Sequence, residues 1–286
     1  MLINYNRKLS LDKISVLNRS FNYGDGVFET IKVINSEIYN GEFHFNRLKK
    51  ACLVLKIDFP FKDFSDFLSN SKKTINSNKL KIGGRLKIIV FREEGGFYLP
   101  SSNKSNFIIF FKKNKYNGFE FATKNMRLCS YNVKKQITPY SFFKSSSSLY
   151  YVMASIYFKE NKYDDAILLN VHNRVVETTK SNIFFVKNGY VKTPFVSEGC
   201  IDGSMRNLVI DLISSYDSYS LEESKIEYKE IGFFDEVFVT NSIQGISSVK
   251  SIDNHEYNKF DLYNDFTKFD AVTFCWVLNL NIMVYT

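Results

Sequence analysis

The chain has 286 residues, 44% hydrophobic and 24% charged, a balance that excludes a disordered polymer and gives room for one large domain or two ordinary ones. Its net charge of +8 comes from scattered basic residues with no run of five, which reads as a solvated basic surface suited to small anions, with no nucleic acid as partner. Four cysteines without a C-x-x-C pair and three dispersed histidines leave no metal site and point to reduced thiols in a cytoplasmic protein, as does a start, Met1 to Lys8, without an apolar signal core.

In chain order, Gly26 to Val33 predicts a strand after a glycine turn. His44 to Leu55 predicts a helix through Leu48, Cys52 and Leu55, and Phe61 to Asn76 predicts another. Arg85 to Arg92 and Asn106 to Lys112 are dense apolar runs and read as strands, joined by a loop with Gly95, Gly96 and Pro100. The polar stretch 114–118 reads as a linker, dividing an N-terminal α/β domain, 1–113, from a C-terminal α/β domain, 119–286. Strands follow at Phe119 to Ala122 and Met126 to Cys129, then a helix at Leu149 to Glu160. Two hairpins are expected, Ala166 to Glu177 around His172-Asn173 and Asn182 to Thr193 around Asn188-Gly189. Met205 to Ser215 predicts a helix with Gly203 and Ser204 near its start, and Glu236 to Thr240 a strand. The apolar tail from Phe269, with Trp276, is interrupted by Asp270, Asn279 and Asn281, so it reads as a buried element and not a membrane span. The pattern is α/β in two lobes with much antiparallel strand.

Lys144 and Glu177 stand out within this order. A lysine followed by Ser145 to Ser148, a carboxylate 33 residues on (177 − 144), and the glycine-led helix start Gly199 to Arg206 supply what pyridoxal phosphate needs. Those needs are an amine for covalent attachment, an anion for the pyridine nitrogen and backbone N–H groups for the phosphate.

Four blocks in order, Asn18 to Thr30, His44 to Leu48, Lys144 to Phe184 and Gly199 to Arg206, resemble the class IV aminotransferases, the fold-type IV pyridoxal-phosphate enzymes. A weaker fifth block runs from Asp235 to Gly245. The resemblance implies a two-domain fold like that of D-amino-acid aminotransferase, with pyridoxal 5'-phosphate in the cleft between the lobes, and a homodimer. It implies Lys144 as the Schiff-base lysine, in the C-terminal domain, and Glu177 as partner of the ring nitrogen. Arg47, the helix start at Gly203, Ser204 and Met205, and Ser242 would hold the phosphate, and Ile201 would pack on the ring. Cys200 reads as a small apolar filler, and His44, with no acid–base partner evident in the sequence, as structural.

Within the family, three features resemble 4-amino-4-deoxychorismate lyase, which eliminates pyruvate to leave 4-aminobenzoate in folate synthesis. Thr30 follows Phe28-Glu29, where its hydroxyl could assist proton transfer at the leaving group. Leu149 replaces a tyrosine of the branched-chain enzymes, and Gly203-Ser-Met-Arg206 resembles the lyase form of the helix start. The alternatives are an aminotransferase of branched-chain or D-amino acids and a catalytically inactive binding protein on the same fold. Residues 94–104 hold no arginine, where several members place one for the substrate carboxylate, which leaves Arg92, Lys104 or Tyr98 as substitutes.

Overall fold

The computed structural model describes residues 3–10, 14–77, 83–114, 118–119, 125–214 and 217–267. The chain forms two compact units. The first comprises Met1–Gly118 and Phe143–Ser148, the second Phe119–Phe142 and Leu149–Thr286. Lys144, which chain order assigns to the C-terminal domain, therefore packs with the first unit. The expected strand at 119–122 and the tail with Trp276 lie outside the described residues, apart from Phe119.

The first unit contains β1 (Ile3–Tyr5), β2 (Lys8–Ser10), α1 (Arg19–Tyr23), β3 (Gly26–Ile34), β4 (Glu37–Ile38), α2 (Gly41–Val54), α3 (Phe64–Ser77), β5 (Gly84–Arg92) and β6 (Ser105–Lys113). Its six strands form an antiparallel sheet in the order β2-β1-β6-β5-β3-β4. Strand alternation puts Val27, Glu29, Ile31 and Val33 on one face and Phe28 and Thr30 on the other. The α2 and α3 helices supply Phe45, Leu48 and Phe67 to the buried core, where the rings of Phe45 and Phe61 meet that of Phe67 edge-to-face.

The second unit contains β7 (Met126–Ser130), α4 (Leu149–Glu160), β8 (Asp165–Leu169), β9 (Val175–Thr178), β10 (Asn182–Lys187), β11 (Tyr190–Pro194), α5 (Ser204–Ile213), β12 (Ser220–Ser224), β13 (Glu236–Asn241), β14 (Gly245–Ile252), β15 (His255–Glu256) and α6 (Asp261–Thr267). Its sheet runs β12-β11-β10-β13-β14-β7-β8-β9, with β15 on β14. Both expected hairpins form, β8 to β9 and β10 to β11. Asn188 and Gly189 have φ of 48° and 80°, the pair of positive values a two-residue turn of this hand demands. Ile167, Ile183, Val237 and Val249 centre the core.

Candidate active site

In the first unit the site begins at the turn Gly24-Asp25-Gly26. Gly24 has φ of 67° and lies against Ser147, whose Cβ would be 2.9 Å from any side-chain carbon added there. This close approach lets 144–146 run alongside the start of β3. The Phe28 N–H donates to the Lys144 carbonyl at 2.8 Å, and the Ser146 N–H donates to the Gly26 carbonyl at 2.9 Å. Lys144 is half-buried, with Nζ 5.8 Å from the centre of the Phe28 ring.

On the opposite face of β3, Glu29 is buried and held from α2. Arg47 Nε donates to Glu29 Oε1 at 2.7 Å, Arg47 Nη2 to Oε2 at 2.5 Å, and His44 Nδ1 lies 2.6 Å from Oε2. The two helix residues are three apart and so share a face. His44 therefore has a carboxylate partner, which corrects the expectation from sequence. Burial pushes Glu29 up, but Arg47 and His44 overcome it and hold the carboxyl at about 2. Burial pushes His44 down, against the pull of Glu29 and with the help of Arg47 and Lys144. The consistent assignment is an ionised Glu29 that accepts Nδ1–H from a neutral imidazole. The dependence of His44 on Lys144 also places that lysine in its electrostatic surroundings.

Thr30 is half-buried and pairs across the ladder with Lys87 of β5. Lys87 Nζ sits 4.3 Å from the centre of the same Phe28 ring that Lys144 approaches. A cavity of about 700 Å³ opens here, lined by Phe28, Lys87, Ile89, Phe91, Ile108 and Ser146 among others. Burial, then the charge of Arg85, lowers the pKa of Lys87. No carboxylate lies within ion-pair distance of Lys87 among the described residues.

Arg92 is unavailable to a substrate, which removes one of the three expected substitutes. It is buried and donates to Asp25 Oδ2 at 2.9 Å, to Asn103 Oδ1 at 2.7 Å and to the Lys56 and Leu55 carbonyls at 2.8 and 2.7 Å. Lys104 and Tyr98 are exposed on the loop, and Tyr98 meets the Tyr23 ring edge-on at 5.9 Å. Sequence reasoning missed Lys87. The available signal was an ionisable residue in the middle of an apolar strand.

In the second unit Glu177, at the end of β9, is buried. Its Oε2 accepts the Ile201 N–H at 3.0 Å, while Oε1 accepts from Lys135 Nζ at 2.5 Å and from the Tyr151 hydroxyl at 2.7 Å. Asn182 Nδ2 donates to the Ile201 carbonyl at 2.7 Å. Glu177 and Asn182 thus grip both sides of residue 201. Ile201 itself is half-buried. Gly203 caps α5 without a side-chain acceptor, so the first N–H groups of this ten-residue helix keep their donors for an outside anion. A carbon added at Gly203 would lie 2.0 Å from Asn182 Oδ1, so only glycine leaves this entrance open. Ser204 and Met205 are buried in the first turn, and Ser242 is half-buried after β13. The buried Thr240 Oγ1 has no hydrogen-bond partner among the described residues. Cys200 is buried and its thiol is pushed up to about 12 by burial, as suits a filler.

Among the described residues no three metal-ligating side chains cluster, and no helix is long and apolar enough to cross a membrane.

The model of the family "Amino-transferase class IV" matches residues 26–252. The chain is 28% identical to an aminodeoxychorismate lyase of Vibrio harveyi over 247 residues, 85% of this chain and 89% of that one. It is 22% identical to a branched-chain-amino-acid aminotransferase of Pseudomonas aeruginosa over 249 residues, 84% of this chain and 80% of that one. The crystal structure of a branched-chain aminotransferase from Thermoproteus uzoniensis with norvaline superposes with a TM-score of 0.87 at 22% identity, covering 99% of this chain and 96% of that one. The chain belongs to the class IV aminotransferase family and has its mixed α/β fold.

Proposed function

We propose that the chain is a pyridoxal-phosphate-dependent 4-amino-4-deoxychorismate lyase, releasing pyruvate and leaving 4-aminobenzoate. The observation that carries this reading is the cavity of the first unit. Its walls combine Phe28, Phe91, Ile89 and Ile108 with serine hydroxyls such as that of Ser146, and a partly desolvated ammonium, Lys87, without a carboxylate partner among the described residues, lies beside Phe28 and faces Thr30 across the ladder. Such a pocket suits a flat, anionic ring better than a small aliphatic amino acid.

The donor set fits the cofactor, which when bound supplies an electron sink for a carbanion. Lys144 would provide the primary amine that holds it and, once the substrate amine takes its place, would be free to take the proton from the carbon bearing that amine. Glu177 holds a proton at the pyridine nitrogen. The uncapped start of α5 at Gly203, Ser204 and Met205 binds the phosphate, with Arg47 as fixed positive charge and Ser242 as a further donor. Ile201 packs on the ring. Thr30 offers its hydroxyl to the departing enolpyruvyl oxygen, and Lys87 holds a substrate carboxylate.

The exposed apolar stripe Leu149, Val152, Met153 and Ile156 on α4, at helical spacing, supports a homodimer. A second reading, transamination, is favoured by the branched-chain relatives and shares every cofactor role.

Pyruvate release from 4-amino-4-deoxychorismate, without an oxoacid, tests the proposal. Repeated turnover by the wild type and none by Lys144→Ala supports it. Turnover only when an oxoacid is supplied selects the transaminase.

A further inference from the structure

Lys135 is an unassigned cation at the centre of the second unit. It follows β7 in a loop whose polar neighbours, Lys134 and Gln136, suggest a solvated surface, yet its side chain is buried. The backbone is fixed, because its N–H donates to the Leu169 carbonyl at 2.8 Å. The ammonium has three hydrogens and three acceptors: Glu177 Oε1 at 2.5 Å, the Tyr151 hydroxyl at 2.6 Å and the Gly199 carbonyl at 2.6 Å. Its donors are all engaged inside the protein.

The effect on Glu177 is geometric. A carboxylate has about four acceptor positions. Lys135 and Tyr151 take both on Oε1, and the Ile201 N–H takes one on Oε2. One acceptor position is left, on Oε2. Tyr151 cannot hold the arrangement alone, because its hydroxyl has a single hydrogen, and that hydrogen already reaches Oε1. Burial and the neighbouring Glu177 raise its pKa well above the usual phenol value, so it stays a neutral donor. Without the ammonium, Oε1 would have an unfilled position and the carboxylate could turn either oxygen outward. Lys135 also ties the carboxylate to Gly199, at the entrance to the segment that carries Ile201 and Gly203.

We propose that Lys135 is a positioning residue that fixes the Glu177 carboxylate so that Oε2 alone is presented to the cofactor's ring nitrogen. The proposal rests on the cofactor reading above and adds the residue that orients its carboxylate. The ammonium also offsets the carboxylate charge, which keeps a buried anion tolerable in the absence of cofactor.

The test compares pyridoxal phosphate with its 1-deaza analogue, in which carbon replaces the ring nitrogen. Equilibrium dissociation constants are read by absorbance for the wild type, Lys135→Gln and Lys135→Arg. A residue acting through Glu177 on the ring nitrogen should matter only when that nitrogen is present. Lys135→Gln is expected to weaken pyridoxal phosphate about tenfold, and the analogue less than twofold. Lys135→Arg, which keeps charge and donors, should restore most of the difference. Equal weakening of both ligands by Lys135→Gln would overturn the proposal, since it marks general damage to the site. An unchanged affinity for pyridoxal phosphate would overturn it as well. Should Lys135→Gln fail to fold, Tyr151→Phe removes the second donor on Oε1 and should show the same selectivity for the nitrogen-bearing ring, and equal weakening would count against the proposal. A wild type that binds neither ligand would remove the cofactor reading itself.

Discussion

Replacing Glu29 with Gln tests the electrostatic account of the first unit. Glu29 is held at about 2 from an ordinary value of 4.5, so about 2.5 pK units favour its ionised form in the folded state. At ~1.36 kcal/mol per unit this is roughly 3 kcal/mol. Its sign follows from the depressed value: the stabilisation is complete above pH 4.5 and is lost as pH falls from 4.5 towards about 2. Deleting one partner of a buried ion pair costs about 3–5 kcal/mol by an independent route, because Arg47 would keep its charge in a buried site. Urea unfolding at pH 7 should therefore show Glu29→Gln less stable by about 3 kcal/mol, with faster hydrogen exchange of β3 and α2 amides to locate the loss. The gap should stay constant down to pH 4.5 and narrow below it. Glu37→Gln is the control, since its pair with Lys72 at 3.0 Å is exposed and worth ~0–1 kcal/mol. If Glu29→Gln cost no more than this control, the buried triad would not be a stabilising device.

Lys87→Met should raise KM for an anionic substrate at least tenfold and leave the absorbance of the bound cofactor unchanged; steady-state kinetics beside a visible spectrum separates the two. Gly203→Ala should destabilise the second unit by about 1–3 kcal/mol through overpacking, plus ~1 kcal/mol if Asn182 swings away from the Ile201 carbonyl, as read in urea. Glu236 is buried, which pushes it up to about 7, against the N–H bonds it accepts from Tyr263 and Leu262. Its raised value means the folded state holds the proton that the unfolded chain releases, so stability should fall as pH rises from 4.5 through 7. Glu236→Gln should abolish that slope in the exchange rates of the Leu262 and Tyr263 amides.

Local signals were the readable ones. The helix Leu149–Glu160 and the Asn188-Gly189 hairpin rest on periodicity and turn chemistry within a few residues, and both fall where the pattern puts them. The strand Gly245–Ile252 has no such signal, because Ser247, Ser248 and Ser251 break its apolar pattern although all three are buried. Serine hydroxyls can be satisfied inside a sheet at little cost. The placement of Lys144 was hidden for another reason: its carbonyl meets Phe28, 116 residues earlier (144 − 28). The pairing of Lys135 with Glu177 across 42 positions was hidden likewise. Distant pairs leave no periodic trace in one sequence, whereas the motif around Glu177 and Asn182 reflects a shared grip on residue 201.

Both units keep a buried ion pair beside a proposed cofactor ligand, Arg47 with Glu29 and Lys135 with Glu177. Stability alone is a poor reason for either, since apolar replacements of similar volume often fold as well or better. Orientation is a better one. Two donors of Arg47 are fixed on Glu29, so the guanidinium plane cannot turn, and two donors on Oε1 prevent the Glu177 carboxylate from turning. Lys87 is the contrast. It is desolvated like the others but lacks a carboxylate partner among the described residues, so its charge remains directed at whatever enters the cavity. On the proposed reading, the paired charges would fix groups that hold a permanent cofactor, whereas Lys87 would suit a ligand that must arrive, react and leave. On this reasoning the residues that distinguish lyase from transaminase lie around Lys87 and Thr30, and exchanging the two buried pairs should alter both chemistries alike.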